Sequence, residues 1–343
     1  MSKPRIISLD LAKKIIQVCK VNKQGEILFN KAMSPQKTKE LLANSSPCVV
    51  AMEGCASFHY WARTAQSFGH EVKGMAPKKV KPYISNQKTD ANDAVGIAVA
   101  STQLGMTFCQ IKTLEQQNIQ TIQISRKWLD RATTSLGNHI RALCFEYGMA
   151  IALGKKSLRD RITHFISPES DELPMSVKQL LMILWRQYQE TEKYYQEITQ
   201  QLKSLVNQSE PCKRLMKLEG VSHIGAAGLV SCLGDGRGFK NGRHASVYVG
   251  VTPKQHSSGG KVVMLGINKH GGDKQLRSIL YQGALSVISR LPSEPKTYKQ
   301  QWLIALVKRV GIKRACVALM NKTVRTAWAL LNYGTEYKIQ QVV

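Results

Sequence analysis

Acid is scarce in this chain. Its 343 residues hold 23 Asp and Glu against 49 Lys and Arg, a formal net charge of +26. Long apolar runs are missing too: none approaches the roughly 18 residues that span a bilayer, and Met1-Ser2-Lys3-Pro4-Arg5 leads straight into a strand-like segment. Neither a membrane span nor a secretory leader is therefore expected. The eight cysteines (Cys19, Cys48, Cys55, Cys109, Cys144, Cys212, Cys232, Cys316) form no CxxC pair. That excludes zinc-ribbon spacing and suits reduced thiols in the cytoplasm. Internal repeats and low-complexity tails are also lacking, which excludes solenoids and compositionally biased arms. What is present is ample apolar content, 43% hydrophobic against 21% charged, enough to rule out wholesale disorder. The length suggests about two domains. A positive excess of this size on a folded chain points to a polyanionic partner, most often nucleic acid.

The first hundred residues alternate legibly. Ile6–Leu11, Ile15–Val21 and Glu26–Phe29 read as strands, with Asn22-Lys23-Gln24-Gly25 as turn chemistry. Ser34-Pro35 predicts a helix through Leu42, with Ser at the N-cap and Pro at the first helical position. Cys48–Met52 suits a buried strand, Phe58–Ser67 a helix, Glu71–Met75 a strand, and a helix carrying Asp90 and Asp93 follows. The order β-β-β-α-β-α-β-α matches a ribonuclease-H-like layered α/β domain. From about Leu114 the spacing turns helical to Ala152. After a break at Ser167–Asp171, a heptad runs through Leu181, Leu184, Tyr188, Thr191, Tyr195, Ile198, Leu202 and Leu205. Strict alternation of three- and four-residue steps favours a coiled coil, either between chains or as a hairpin. After Pro211 the chain turns glycine-rich and basic, and two helical stretches, roughly Lys274–Arg290 and Gln300–Leu331, close it. These shifts divide the chain at about 1–110, 111–210 and 211–343.

Residues 1–110 contain only seven acids: Asp10, Glu26, Glu40, Glu53, Glu71, Asp90 and Asp93. Asp10 lies within the first strand and Glu53 just after the central apolar strand. Asp90 and Asp93 share one helix face by their i,i+3 spacing. In the inferred fold the first and fourth strands are central neighbours and the helix crosses their ends, so four carboxylates converge. Their mutual repulsion, on the order of several kcal/mol in a partly buried site, is relieved by Mg²⁺, with Mn²⁺ as an alternative, because such ions take hard oxygen ligands. Two such ions about 4 Å apart would clamp the attacking and leaving oxygens of a phosphodiester. Taken singly, an Asp in a strand is as readily a turn cap, and Asp90 a helix-start residue after Thr89.

Four stretches carry a family resemblance: Ile7-Ser-Leu-Asp10-Leu-Ala, Met52-Glu53-Gly-Cys-Ala-Ser, Met75-Ala-Pro-Lys78-Lys79-Val-Lys81-Pro-Tyr83 and Lys88-Thr-Asp90-Ala-Asn-Asp93-Ala. The chain resembles the DEDD transposases, recombinases of the insertion-sequence family numbered one hundred and ten and akin to the pilin-gene invertase Piv. Met52–Arg63 and Gln255–Lys261 are similar to its subgroup numbered eleven hundred and eleven. The resemblance covers residues 5 to about 338. It implies a RuvC-like nuclease domain with Asp10, Glu53, Asp90 and Asp93 as catalytic metal ligands, then a coiled-coil arm and a mostly α-helical C-terminal transposase domain. It further implies double-stranded donor and target DNA as substrates, a structured non-coding guide RNA of the bridge type, a tetrameric (dimer-of-dimers) assembly, and a bacterial cytoplasmic location, at the nucleoid when active.

Thr252–Lys261 reads as a loop, two serines followed by two glycines. A serine beside glycine approaches a phosphate without obstruction, although Ser-Gly in a loop is usually only a turn. The resemblance places its nucleophile directly before the first glycine, hence Ser258, attacking DNA to give a phosphoserine link; Ser257 is the neighbouring alternative. A serine hydroxyl needs deprotonation or polarisation to act. His256 has no imposed geometry towards it. Lys78, Lys79, Lys81 and Lys88 flank the carboxylate helix, while Lys254, Lys261, Lys269 and Arg277 surround the serine segment; all eight are candidate nucleic-acid contacts. Leu218–Gly225 resembles the family's helix-hairpin-helix, with Ser222 where a second glycine is common. Three competing readings share some of these features: a junction resolvase activating water, an actin-like sugar kinase, and a non-catalytic RNA-binding protein. The basic excess and the lack of a later glycine-rich adenosine motif argue against the kinase.

Overall fold

The computed structural model describes residues 5–85, 87, 89–267 and 271–341, and it divides into two compact units, Met1–Thr113 and Leu114–Val343. The first unit holds β1 (Ile6–Asp10), β2 (Ile16–Val21), β3 (Ile27–Met33), α1 (Pro35–Ala43), β4 (Val49–Glu53), α2 (Phe58–Ser67), β5 (Glu71–Met75), α3 (Pro77–Val80), a 3-10 turn at Lys81–Tyr83, and α4 (Asp90–Ala100). The sheet order is β3-β2-β1-β4-β5, with β1 antiparallel to β2 and parallel to β4. This is the mixed sheet the sequence predicts, consistent with a RuvC-like fold.

The sheet is layered because its strands alternate. Ile7, Leu9, Val50 and Met52 face a core shared with Phe58, Trp61, Ala62 and Ala65 of α2. Ile6, Val49 and Ala51 face the other way, against Ile97, Ala98 and Ala100 of α4. Local chemistry agrees with packing: the Ser34 hydroxyl caps α1 by accepting from the Lys37 amide at 3.3 Å, with Pro35 at its start.

The second unit continues with α5 (Leu114–Glu146), α6 (Lys155–Phe165), α7 (Met175–Gln208), α8 (Glu210–Met216), α9 (His223–Leu233), α10 (Gly242–Val249), β6 (Pro253–Ser258), β7 (Lys261–Ile267), α11 (Lys274–Ile288), α12 (Tyr298–Val310) and α13 (Ile312–Tyr333). Long helices α5 and α7 pack antiparallel: Arg126 reaches Tyr195 and Thr199 (3.0 Å to the Thr199 hydroxyl), while Gly137 lies against Tyr188. Of the predicted heptad, Leu181, Tyr188 and Leu202 are buried and the rest half-buried. The seam therefore packs against α5 of its own chain, as an antiparallel helix pair. The final stretch, expected as one helix, is two, because Gly311 at φ +79° ends α12 and precedes α13. The core of this unit gathers α8, α9, α11 and α13, with Ala226, Leu229, Leu319 and Val324 almost fully enclosed.

Candidate active site

In the first unit, parallel pairing of β1 and β4 runs from Ile6 opposite Val49 to Leu9 opposite Met52. Asp10 and Glu53, one residue further on, are thus the last residues of adjacent strands. Alternation puts both on the α4 face of the sheet. On that face the Ser8 hydroxyl donates to the Ala94 carbonyl at 2.7 Å, and Ile97 and Ala98 lie over Ile6 and Val49. Moving towards the start of α4 therefore moves towards the Asp10 end of β1. Asn30 of β3 anchors that helix start by donating to the Ala91 carbonyl at 2.9 Å. Thr89 caps it, accepting from the Asn92 amide at 3.2 Å.

Asp90 is exposed on the first turn of α4, whereas Asp93 is half-buried, and its Oδ1 is buried with no hydrogen-bond partner among the described residues. A buried carboxylate oxygen without a donor is costly. Beside the strand ends, the Cys55 thiol is pushed up first by desolvation and then by the negative charges of Glu53 and Asp10. Ser57, four residues after Glu53, has φ +65°, the left-handed region at a residue that is not glycine. Such a backbone costs about 1 kcal/mol or more and is held only where surroundings dictate it. Sequence reading misses Ser57, because no composition signal marks a left-handed serine.

These residues fit a hard divalent cation in donor type: only carboxylate oxygens, two at neighbouring strand ends and one buried without a partner. They are not drawn into a finished ligand cluster, since among the described residues no three acidic, thiol or imidazole groups lie close enough to hold an ion. The backbone brings the acids to one sheet edge; the side chains stop short of the four-way convergence expected. Lys78, Lys79 and Lys81 are exposed after β5, with the Lys79 ammonium on the Thr107 hydroxyl. Lys88 lies outside the described residues.

In the second unit the serine segment is a β-hairpin rather than a loop. Ser258 pairs with Lys261, Ser257 with Val262 and His256 with Val263. Gly259 and Gly260 (φ +54° and +76°) make the two-residue turn that such hairpins need. Ser258 is exposed at the tip beside Lys261, and alternation puts it on the opposite face from Ser257, whose hydroxyl accepts from the Gln255 side-chain Nε2 at 2.9 Å. Lys254 is exposed on β6; Lys269 lies outside the described residues. Arg277 departs from expectation: it is 7% exposed, and its guanidinium donates to the Gly271 carbonyl and, at 3.4 Å, to that of Gly250. That is an internal tie, not an open phosphate contact. Before α9, Ser222 accepts from the Gly225 amide at 3.5 Å as a helix cap.

Comparison with known proteins is consistent across almost the whole chain. A family model named for the DEDD transposases of IS110, described as Transposase, matches residues 7–148. A second, described as Transposase IS116/IS110/IS902 family, matches residues 212–300. The chain is 33% identical over 334 residues to the transposase for insertion sequence element IS1111A of Coxiella burnetii, covering 97% of this chain and 91% of that one. It is 34% identical over 333 residues to a probable family 20 transposase of Pseudomonas aeruginosa, covering 97% and 98%. It is also 23% identical over 289 residues to the pilin gene-inverting protein of Moraxella bovis, covering 81% and 79%. No helix among the described residues is long and apolar enough to cross a membrane. With acids at the ends of two central strands and relatives matched from end to end, the chain belongs to the IS110 family of transposases, enzymes of DNA recombination.

Proposed function

We propose that this transposase exchanges DNA strands through a covalent link to Ser258, under the direction of a structured non-coding RNA that selects donor and target DNA. The observation that carries the nuclease half is the edge shared by Asp10 and Glu53, with the buried, unpartnered Oδ1 of Asp93 on the helix that crosses their face of the sheet. The resemblance supplies the RNA guidance, the tetramer (a dimer of dimers) and the coiled-coil role of the α5–α7 hairpin.

Asp10, Glu53 and Asp93, with Asp90 at the rim, would hold Mg²⁺ or Mn²⁺, which supplies Lewis-acid stabilisation of charge on a phosphoryl group. The chain's own residues do the rest. Lys78, Lys79 and Lys81 hold DNA or RNA phosphates near the first unit, and Lys254 and Lys261 hold them beside the serine. Ser258 Oγ attacks the phosphorus: an Oγ–P bond forms, the bond to a deoxyribose oxygen breaks, the serine proton leaves and the departing oxygen gains one. Attack by the hydroxyl of another strand reverses these changes, so the number of phosphodiester bonds is conserved without an outside energy source. An exposed tip followed by two glycines suits this role, because no side chain of the turn stands between Oγ and a phosphate.

The test is capture of the adduct. Purified protein, guide RNA and element-end DNA are quenched in denaturant and resolved by size. Wild type and Ser257→Ala should give a denaturation-stable protein–DNA species, Ser258→Ala none. Adduct from Ser258→Ala would move the nucleophile. Cleavage with no adduct from any variant would favour the second reading, a resolvase that uses the same carboxylates to activate water.

A further inference from the structure

In the second unit, apart from the serine hairpin, the start of α10 and the middle of α13 line a concavity of about 600 Å³. Arg243, Lys322 and Arg325 stand exposed on its rim, while Trp328, Ala329 and Thr326 line it deeper. Helix and floor are tightly joined: a Cβ on Gly242 would sit 3.2 Å from the Trp328 ring and from the Arg325 backbone. The indole is fixed by donating to the Gly236 carbonyl at 2.9 Å and by an edge-on contact with Tyr333. None of the described residues that line the pocket is acidic. The sequence has no Asp or Glu between Asp235 and Asp273, nor between Glu294 and Glu336, the two segments that build it.

We infer that this pocket takes one unpaired nucleotide of a single-stranded nucleic acid, its base against Trp328 and Ala329 and its phosphates on the cationic rim. Three observations select that ligand. The rim charge is all of one sign and uncompensated within the lining, which suits a phosphodiester backbone. The walls are apolar and aromatic, which suits a base face and would be wasted on an inorganic anion. The site is concave and of ligand size, whereas a duplex keeps its bases stacked inside and offers a convex row of phosphates. The inference rests on the reading that the chain handles nucleic acid, but it does not require cleavage or Ser258.

Full-length protein is tested by fluorescence anisotropy with labelled oligothymidylate, oligouridylate and a duplex of equal length. Arg243→Gln with Arg325→Gln should flatten the salt dependence of single-strand binding by about 1.4 in slope, two contacts at about 0.7 each. Trp328→Leu should weaken single-strand binding about fivefold or more, the loss of one stacked base, and duplex binding less than about twofold. Thymidylate and uridylate arms separate a DNA from an RNA source. Should Trp328→Leu fail to fold, a halogenated pyrimidine photocrosslink on wild type replaces it, with the adduct expected on the peptide that holds Trp328. Equal losses for duplex and single strand, no loss in either variant, or a crosslink confined to other peptides would overturn the pocket. Because anisotropy reads binding without cleavage, failure of the strand-exchange proposal leaves this result readable.

Discussion

Replacing Asp93 with alanine should stabilise the metal-free first unit and destabilise it relative to wild type once Mg²⁺ is present. The sign comes from Asp93 Oδ1, buried without a hydrogen-bond donor among the described residues. Leaving such an oxygen unsatisfied costs about 1–3 kcal/mol. Its charge, in the first turn of α4, recovers only about 0.3–1 kcal/mol from the helix dipole. Removing the carboxylate should therefore add roughly 1 kcal/mol in EDTA, or about 4 °C for a unit that ends at Thr113. With Mg²⁺ at one hundred times its dissociation constant, wild type should gain about 2.7 kcal/mol by mass action. The variant has lost one proposed ligand, the carboxylate whose Oδ1 is buried without a partner among the described residues, and should gain far less. The two unfolding curves should then exchange order between EDTA and saturating Mg²⁺, read by calorimetry with the ionic strength held constant. Parallel shifts in both proteins, or a variant already weaker in EDTA, would refute the assignment of Asp93 to an ion.

Two further outcomes test the second unit. A Cβ on Gly283 would fall 2.1 Å from the Gly220 carbonyl oxygen, whereas one on Gly225 meets nothing nearer than Val221 at 3.4 Å. Gly283→Ala should thus cost about 1–3 kcal/mol through forced separation of two backbones. Gly225→Ala should gain about 0.5–1 kcal/mol from helix propensity, and urea unfolding compares the pair. The second set of groups ties the C-terminal segment: the Tyr337 hydroxyl donates to Glu219 at 3.1 Å, and Lys299 pairs with the same carboxylate at 2.5 Å. Burial raises the Glu219 carboxyl, but the Lys299 ammonium, a backbone amide and Tyr337 outweigh it, leaving it below the ordinary 4.5. Burial, then the Glu219 charge, pushes Tyr337 up to about 12 from 10.0. The Glu219 contribution is complete above pH 4.5 and is lost on acidification below it; that of Tyr337 is complete below pH 10 and is lost as the pH climbs towards 12. Hydrogen exchange of the Tyr298 amide, which donates to the Gln340 carbonyl at 3.2 Å, should follow the acid limb in wild type and not in Glu219→Gln.

The first unit was largely legible because its signals are local. Strand alternation, the Ser34-Pro35 start and the acids at Asp10 and Glu53 all act within a few residues, and the sheet order follows from few connections. Legibility fails where the partner is remote. A heptad states that Leu181 and Tyr188 face a helix but not that the helix is α5 of the same chain. Arg277 looks like one more surface base until Gly250 and Gly271 arrive from elsewhere to receive it. The β6–β7 hairpin reads as a loop because polar residues occupy both faces of β6, so alternation carries no apolar signal. Even with the strand ends correctly placed, side-chain distances among the four acids are not encoded by spacing.

Every residue of β6 and β7 except the half-buried Ile267 is exposed, the aliphatic Val262, Val263, Met264 and Leu265 included. A ribbon of two strands has little rigidity by itself. An alcohol mounted on such a cantilever acquires a definite address only from what the ribbon comes to lie against. If Ser258 is the nucleophile proposed above, its aim would be conferred at docking rather than held by the lone molecule.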